Sequence, residues 1–546
     1  MIAALLIALA AASEVADPAE APDAAPLTAG PAKDPPPARV VPTGLPAPLH
    51  HGADRPPRVP YGGQKWDTWG HVRTRFDYVT DPPLDETGFQ ADRQVWASGR
   101  WVYGAVWRPT DRVAVTIEAE DVSGAFAGDR TEVGQASDGE PFRVERSDFK
   151  DEFLTHPRNL NVAISDPRIG MIKIGAQSFT WGTGMLANDG LGDPDFGDPD
   201  QGNINVRVLA ATSPWRAKDD RPAALRGLSM FAAGDIVIRD DNAWLYQGDQ
   251  AFAGVFGVRS QSPRGEVGLL GVVRWQRDRR ERYRPDGELS VTTVFPLDLH
   301  GRVVLTPLDW DHRLTLEAEA AVIQGRTTRP LLEETVADGA RVLSAGFVGR
   351  LRFDVDPVRL TIKAEVGFAT GDNDPRDGVA RSFAFHSDHE IGLILFEQLL
   401  PMLTARSADR AADPNLVAVP APGSRYTINQ GAISNAVYVN PTVRWRPVEA
   451  LDLRAGWVGA WSAGTLYDLF STGLAGGYPV TWGGGPADKR FMGYEMDLGA
   501  RYRHELQGNL ALEVGAEGAV FLPGGAFAAL DLPTQATARG RFDIFW

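Results

Sequence analysis

Arginine and carboxylate side chains recur at every second position over much of this chain. Arg73 and Arg75, Arg100, Arg226, Arg350 and Arg352, Lys363, Arg444, Arg454, Arg501 and Arg503, and Arg539 and Arg541 share one parity of their segments, interleaved with Glu118, Glu120, Glu317, Glu319, Glu365, Asp497, Glu513 and Glu517. A guanidinium offers a rigid fork of donors that pairs bidentately with a carboxylate, and a low-dielectric wall strengthens the attraction. Two readings of such rows are open. They can form a ladder that hands acidic groups from one cation to the next, or the charges can neutralise one another across neighbouring strands of a wet cavity. The ladder reading is strongest for Arg73, Arg75, Arg100, Arg501, Arg503, Arg539 and Arg541, which come from the first and last segments and meet if the sheet closes on itself.

Other chemistries are less well provided. Asp193, Asp195, Asp198 and Asp200 read as solvated external turns. Asp372, Asn373, Asp374 and Asp377, bracketed by Gly371 and Gly378, offer the hard oxygens that calcium prefers, without the spacing of a helix-loop-helix site, and calcium is the one candidate cofactor. His386 and His389 stand near an acidic cluster, where loop histidines are usually solvated. No Gly-x-Ser-x-Gly elbow occurs and the 9 histidines are scattered, so the chain does not read as an enzyme. With 0 cysteines there is no disulfide framework, thiol nucleophile or Cys-ligated metal. A net charge of −16 argues against nucleic acid, which is bound through clustered Lys and Arg.

The elements that must position these charges have period two. Thr74, Phe76 and Tyr78 alternate with Arg73, Arg75 and Asp77, and Leu314, Leu316, Ala318 and Ala320 with Arg313, Thr315, Glu317 and Glu319. Alternation alone fits a soluble sandwich as well as a membrane barrel. Connection lengths decide. Short turns near Thr110, Asp166, Pro263, Asp309, Asp356, Pro447 and Gln507, with a medium one from Thr212 to Ala223, alternate with nine long polar loops. Joined, they predict a transmembrane antiparallel up-and-down β-barrel of about 18 strands over residues 61–546, with short periplasmic turns and long external loops. Trp107, Trp445 and Tyr502 beside short turns, and Tyr78, Trp461 and Tyr494 beside long loops, fit two interfacial girdles. The final strand places Phe542, Ile544 and Trp546 on one parity and ends on the aromatic, a pattern similar to the signal read by the bacterial barrel-assembly machinery. Residues 1–16 read as an export signal peptide, and residues 17–60, rich in Pro and Ala, as a disordered periplasmic linker.

Ile172 to Leu186 reads IKIGAQSFTWGTGML, and Ala369 to Gly378 reads ATGDNDPRDG. Both resemble motifs of the alginate-export-like outer-membrane porins, a Gly-Arg-Gln strand followed by an aromatic-Gly-x-Gly turn and a late Asp-rich loop. The resemblance implies an 18-stranded barrel that exports an acidic polysaccharide. It places Gln177 on the substrate path, and Ala176 stands where that family has arginine.

The loop over residues 370–434 also holds Ile391, Leu393 to Phe396, Leu399, Leu400, Met402 and Leu403. An apolar helical stretch needs cover, which folding into the lumen, the barrel rim or a partner could supply. The expectation is an outer-membrane channel of a Gram-negative envelope, embedded in outer-membrane lipid and passing an acidic polysaccharide or anionic solutes, with periplasmic export partners. The alternative is a non-conducting barrel that docks components of an envelope machine.

Overall fold

Alternation of apolar and polar side chains gives each segment two unlike faces, and an antiparallel sheet is the structure in which every second residue shares a face. The computed structural model describes residues 66–129, 133, 155–166, 169–199, 202–215, 221–278, 289–307, 310–329, 339–374, 377–417, 424–506 and 510–546. The expected export signal (1–16) and linker (17–60) lie outside the described residues.

The strands are β1 (Trp66–Val79), β2 (Val95–Thr110), β3 (Val113–Gly128), β4 (His156–Asp166), β5 (Gly170–Ser178), β6 (Ile204–Thr212), β7 (Leu228–Arg239), β8 (Gln250–Ser262) and β9 (Gly265–Arg277). They continue as β10 (Val291–Val304), β11 (His312–Thr327), β12 (Ala340–Val355), β13 (Leu360–Ala369), β14 (Ala436–Val448), β15 (Leu451–Ser462), β16 (Phe491–Glu505), β17 (Ala511–Pro523) and β18 (Gln535–Phe545). Each pairs antiparallel with the next in sequence, and β1 pairs with β18 to close the sheet, with Arg73 opposite Asp543, Arg75 opposite Arg541 and Asp77 opposite Arg539. Among the described residues only the two-residue strand Val379–Ala380 pairs in parallel, alongside the start of β12. Closure leaves the wall no free edge, so its ladder groups bond within the sheet, as hydrocarbon requires. The eighteen long strands and the alternation of short and long connections agree with the sequence reading. One boundary moved: β3 runs on to Gly128, past the loop start expected at Ser123.

Polarity across the wall is reversed relative to a soluble protein. Leu498 is 66% exposed and Ile172 51%, whereas Glu120 and Asp497 are 0% exposed. An apolar exterior around a charged interior is what a membrane-spanning barrel presents. Among the described residues no helix is long and apolar enough to cross a membrane. Aromatics collect at strand ends: Trp66 stacks on Trp107 with centroids 5.7 Å apart, and Tyr494 lies 5.2 Å from Trp457 and 4.7 Å from Phe491.

The large apolar core is built chiefly from loop segments packed on wall residues such as Val348, Tyr438, Val458 and Phe521. Leu84, Phe196, Phe383, Phe385, Leu393 to Phe396, Leu403, Trp482 and Phe527 form one buried cluster drawn from several loops. Among the described residues three α-helices lie in connections: α1 (Ala223–Arg226), α2 (Leu400–Ala412) and α3 (Leu469–Leu474). Arg226, placed on an inward parity by the sequence, belongs to α1 in the turn before β7, because Pro222 starts a helical turn there in place of strand.

The chain end is docked at the seam. Trp546 N–H donates to the Gly70 carbonyl at 3.1 Å, and Gly70 N–H to the Trp546 carbonyl at 3.0 Å. The indole lies flat over Gly70, where a Cβ would stand 1.9 Å from the ring. Phe542 and Ile544 share the outward parity of their strand, with Phe542 exposed. Gly70→Val must expel the indole, an overpacking cost of roughly 1–3 kcal/mol. The expected outcome is a lower thermal unfolding midpoint of the folded barrel, read by heat-modifiable gel migration. An unchanged midpoint would show that the ring is not seated there.

Candidate channel lumen

The connection between β5 and β6 does not extend outward; it turns into the barrel. Phe179 and Trp181 pack on an apolar stretch of inner wall formed by Phe231, Ala233, Val255, Leu270 and Val272. The Trp181 ring fits because residue 268 is glycine, whose Cβ would approach it to 2.7 Å. Its indole N–H donates to Asp298 at 3.1 Å, and the Thr183 N–H donates to Glu319. Anchored there, the segment carries Asp193, Asp195 and Asp198 across to the opposite, basic wall.

Each aspartate meets cations of the ladder. Asp198 accepts from Arg73 at 2.7 Å and Arg541 at 2.8 Å, with Arg75 at 3.5 Å. Asp193 accepts from Arg501 at 2.7 Å and lies 3.3 Å from Arg454 and 3.5 Å from Arg444. Asp195 pairs with Lys363 at 2.5 Å and accepts from Thr442 at 2.8 Å. Burial pushes the Asp193 and Asp198 carboxyls up, but the surrounding guanidinium groups outweigh it and hold both well below the usual carboxylate range. These aspartates, expected as solvated external turns, are therefore charges of the lumen. Pairing with seven wall cations offsets the solvation these carboxylates lose on leaving open water.

The remaining ladder residues are shared between wall and loop carboxylates. Arg539 joins Asp77 at 2.7 Å and Glu397 at 2.7 Å. Arg75 joins Asp77 at 2.8 Å, Arg541 joins Asp543 at 2.7 Å, Arg501 joins Glu517 at 2.7 Å, and Arg454 lies 3.1 Å from Asp452, which also pairs with Arg444. Arg100 reaches Glu120 at 3.1 Å and donates to the carbonyls of Gly190 and Pro199. Arg503 lies over the Phe545 ring at 4.9 Å. Gln177 stands apart: its amide donates to the Arg207 carbonyl at 3.1 Å, beside the Arg207–Asp235 pair on β6 and β7. Ala176 has the outward parity of Ile172 and Ile174, so alanine at that position takes no cation from the lumen. The inward charges are thus neutralised from two sources, wall carboxylates and carboxylates of the inserted loops.

Some lumen residues escaped the sequence reading. Arg158 is fully buried, reaching Glu120 at 2.6 Å, and its parity on β4 is masked by Pro157 and the long loop before it. Glu495 on β16 shares the parity of Asp497 and Arg501, a signal that was present and unused. The Asp372 to Asp377 loop is tied by hydrogen bonds and one arginine. Asp372 accepts the Asp374 and Arg381 N–H groups, Asp377 pairs with the Arg381 side chain at 2.7 Å, and Asn373 accepts from Thr465. The Arg381 guanidinium lies 3.6 Å from Asp372, and among the described residues no group of three or more His, Asp or Glu side chains is placed to hold a metal ion. His386 faces Asn203 at 2.9 Å and His389 faces Glu365 at 3.0 Å, so both are buried in hydrogen bonds and are not the solvated loop histidines expected.

The long loop between β13 and β14 supplies a second inserted segment. Residues 389–399 lie against β13, β16 and β18, and α2 caps the external side. There Arg406 pairs with Asp85 at 2.8 Å and Arg410 with Glu86 at 2.6 Å, each guanidinium also lying on a ring, Phe89 and Phe470. Between the two inserted segments remains a cavity of about 150 Å³, lined by Arg73, Arg75, Asp198, Glu390, Glu397 and Gln398 among others.

No protein-family model matches the sequence, and no curated protein does. Among solved structures the chain is similar to three Pseudomonas aeruginosa proteins. OccK2 (OpdF) aligns at 10% identity over 88% of this chain and 97% of that one, TM-score 0.47. OccK1 (OpdK) aligns at 11% over 88% and 99%, TM-score 0.46, and OccK11 (OpdR) at 11% over 88% and 95%, TM-score 0.44.

The cap holds one carboxyl that titrates near neutrality. Burial pushes Asp409 up to about 6, against the pull of Arg406 at 3.2 Å. A raised acid stabilises the folded cap fully below its unfolded value of 3.8, and that contribution is lost as pH rises through about 6. Comparing wild type with Asp409→Asn, the difference in unfolding midpoint should move against wild type between about pH 4.5 and about pH 7.5. A difference independent of pH would contradict the assignment.

Proposed function

We propose that the protein is a channel of the Gram-negative outer membrane for anionic solutes, an acidic polysaccharide included, and that this conformation is its occluded state. The observation that carries the reading is the seating of Asp193, Asp195 and Asp198 on Arg73, Arg75, Arg541, Arg501, Arg454, Arg444 and Lys363. The wall cations hold carboxylates at successive places along one side of the lumen, and here the carboxylates come from the chain itself. An entering anion can replace them one for one, since charge pairs in a wet lumen exchange without leaving a buried charge unpaired. The resemblance of two motifs to the alginate-export-like porins agrees with an acidic polymer as cargo. In this account the C-terminal strand is read by the barrel-assembly machinery, and the proline-rich segment reaches periplasmic export partners.

The filled lumen favours one rival, a non-conducting barrel that serves as a docking component. Single-channel recording in planar bilayers separates the two. Replacing Asp193, Asp195 and Asp198 together by Asn removes three negative charges and leaves the wall cations in place. The expected result is larger conductance with the anion-to-cation permeability ratio raised roughly threefold or more. No current from either protein would favour the docking role.

A further inference from the structure

The second inserted segment is held by its main chain. Glu495 on β16 is 1% exposed and accepts three successive backbone N–H groups, Leu393 at 2.5 Å and Ile394 at 2.7 Å on Oε1 and Leu395 at 2.9 Å on Oε2. The approach requires glycine at 392, where a Cβ would stand 2.7 Å from Oε1. These donors lead into a π-helical turn, Leu395–Leu399, which runs directly into α2, and Ile394 offers no side-chain cap. The first N–H groups of a helical run have no acceptor within it. Glu495 therefore does from the barrel wall what an N-cap side chain does locally, and places a carboxylate at the positive end of the run.

Two further pins hold the same segment, each through one side chain: His389 to Glu365 of β13 at 3.0 Å, and Glu397 to Arg539 of β18 at 2.7 Å. The segment thus crosses the lumen from β13 past β16 to β18. Arg539 can exchange Glu397 for another anion, and the His389 bond can be taken by water. The Glu495 contact differs in kind, because an anionic solute cannot replace a wall carboxylate in a cradle of N–H groups without leaving Glu495 buried and unsatisfied.

We infer that Glu495 is the positioning residue that fixes residues 392–399 across the lumen and so sets the width of the pore. The aspartate segment is the element a solute displaces, whereas the 392–399 segment stays until the Glu495 clasp opens. The consequence for conduction rests on the channel reading above; the clasp itself does not.

The test uses the full-length protein with Glu495→Gln, which keeps size and one oxygen but loses the charge and turns an amide N–H₂ toward the donors, and with Glu495→Ala. Folding is checked by heat-modifiable gel migration. Two readouts are taken: trypsin cleavage after Arg406 and Arg410, and single-channel openings, with the triple Asp193, Asp195 and Asp198 to Asn protein as conduction reference. Losing charge-assisted bonds to three donors should speed cleavage and raise opening frequency by about tenfold or more in Glu495→Gln. Cleavage at the wild-type rate in a folded Glu495→Gln barrel overturns the inference. Faster cleavage with no current in any variant, the triple reference included, keeps the clasp and overturns the channel reading. Should Glu495→Ala fail to fold, Glu495→Gln alone decides.

Discussion

Guanidinium–carboxylate pairing inside a closed, low-dielectric wall is the interaction on which the rest of this structure depends. Arginines on an inward parity are tolerable only when each finds a carboxylate, since a buried charge without a partner is strongly destabilising. Wall residues meet part of that need, as in Arg541 with Asp543 and Arg501 with Glu517. The remainder is met by three aspartates delivered by the β5–β6 connection and by Glu397 of the β13–β14 loop. Ladder and inserted segment therefore imply one another. Remove the aspartates and the barrel becomes strongly cationic along one side; remove the ladder and nothing draws Asp193 and Asp198 out of water.

The two segments in the lumen are held by different physics, and that difference gives them different roles. Residues 193–198 are held by charge, which a solute can imitate. Residues 389–412 are held by apolar contact with Phe383, Phe385, Trp482 and Phe527 and by a main-chain clasp on Glu495, neither of which an anion can imitate, in addition to ion pairs at Glu397, Arg406 and Arg410. On the proposed channel function, one element is suited to exchange with an anionic solute and the other to narrowing the path.

The wall was legible in the sequence because its determinants are local. Period two along Leu314 to Ala320, short turns alternating with long loops, and the parity of Phe542, Ile544 and Trp546 are properties of neighbouring residues, and they gave strand number and inward charges together. The interior was not legible, because where a loop travels is decided by partners hundreds of residues away. Asp193 reads as a solvated turn until Arg501 is brought beside it. Glu495 was half legible: its parity faces it inward, but a side chain that caps three backbone N–H groups from another loop leaves no pattern in the residues it caps.

The central claim is that the aspartate segment lies on the basic wall and blocks the path there. Asp195 and Thr442 touch at 2.8 Å, and the chain has 0 cysteines of its own, so cysteines placed at these two positions report on that contact alone. The measurement is single-channel current through the Asp195→Cys, Thr442→Cys protein before and after reduction. The account predicts that the disulfide forms, that the oxidised protein carries no current, and that a reductant restores it. Failure of the cross-link to form in the folded barrel, or equal current in the oxidised and reduced states, would contradict it.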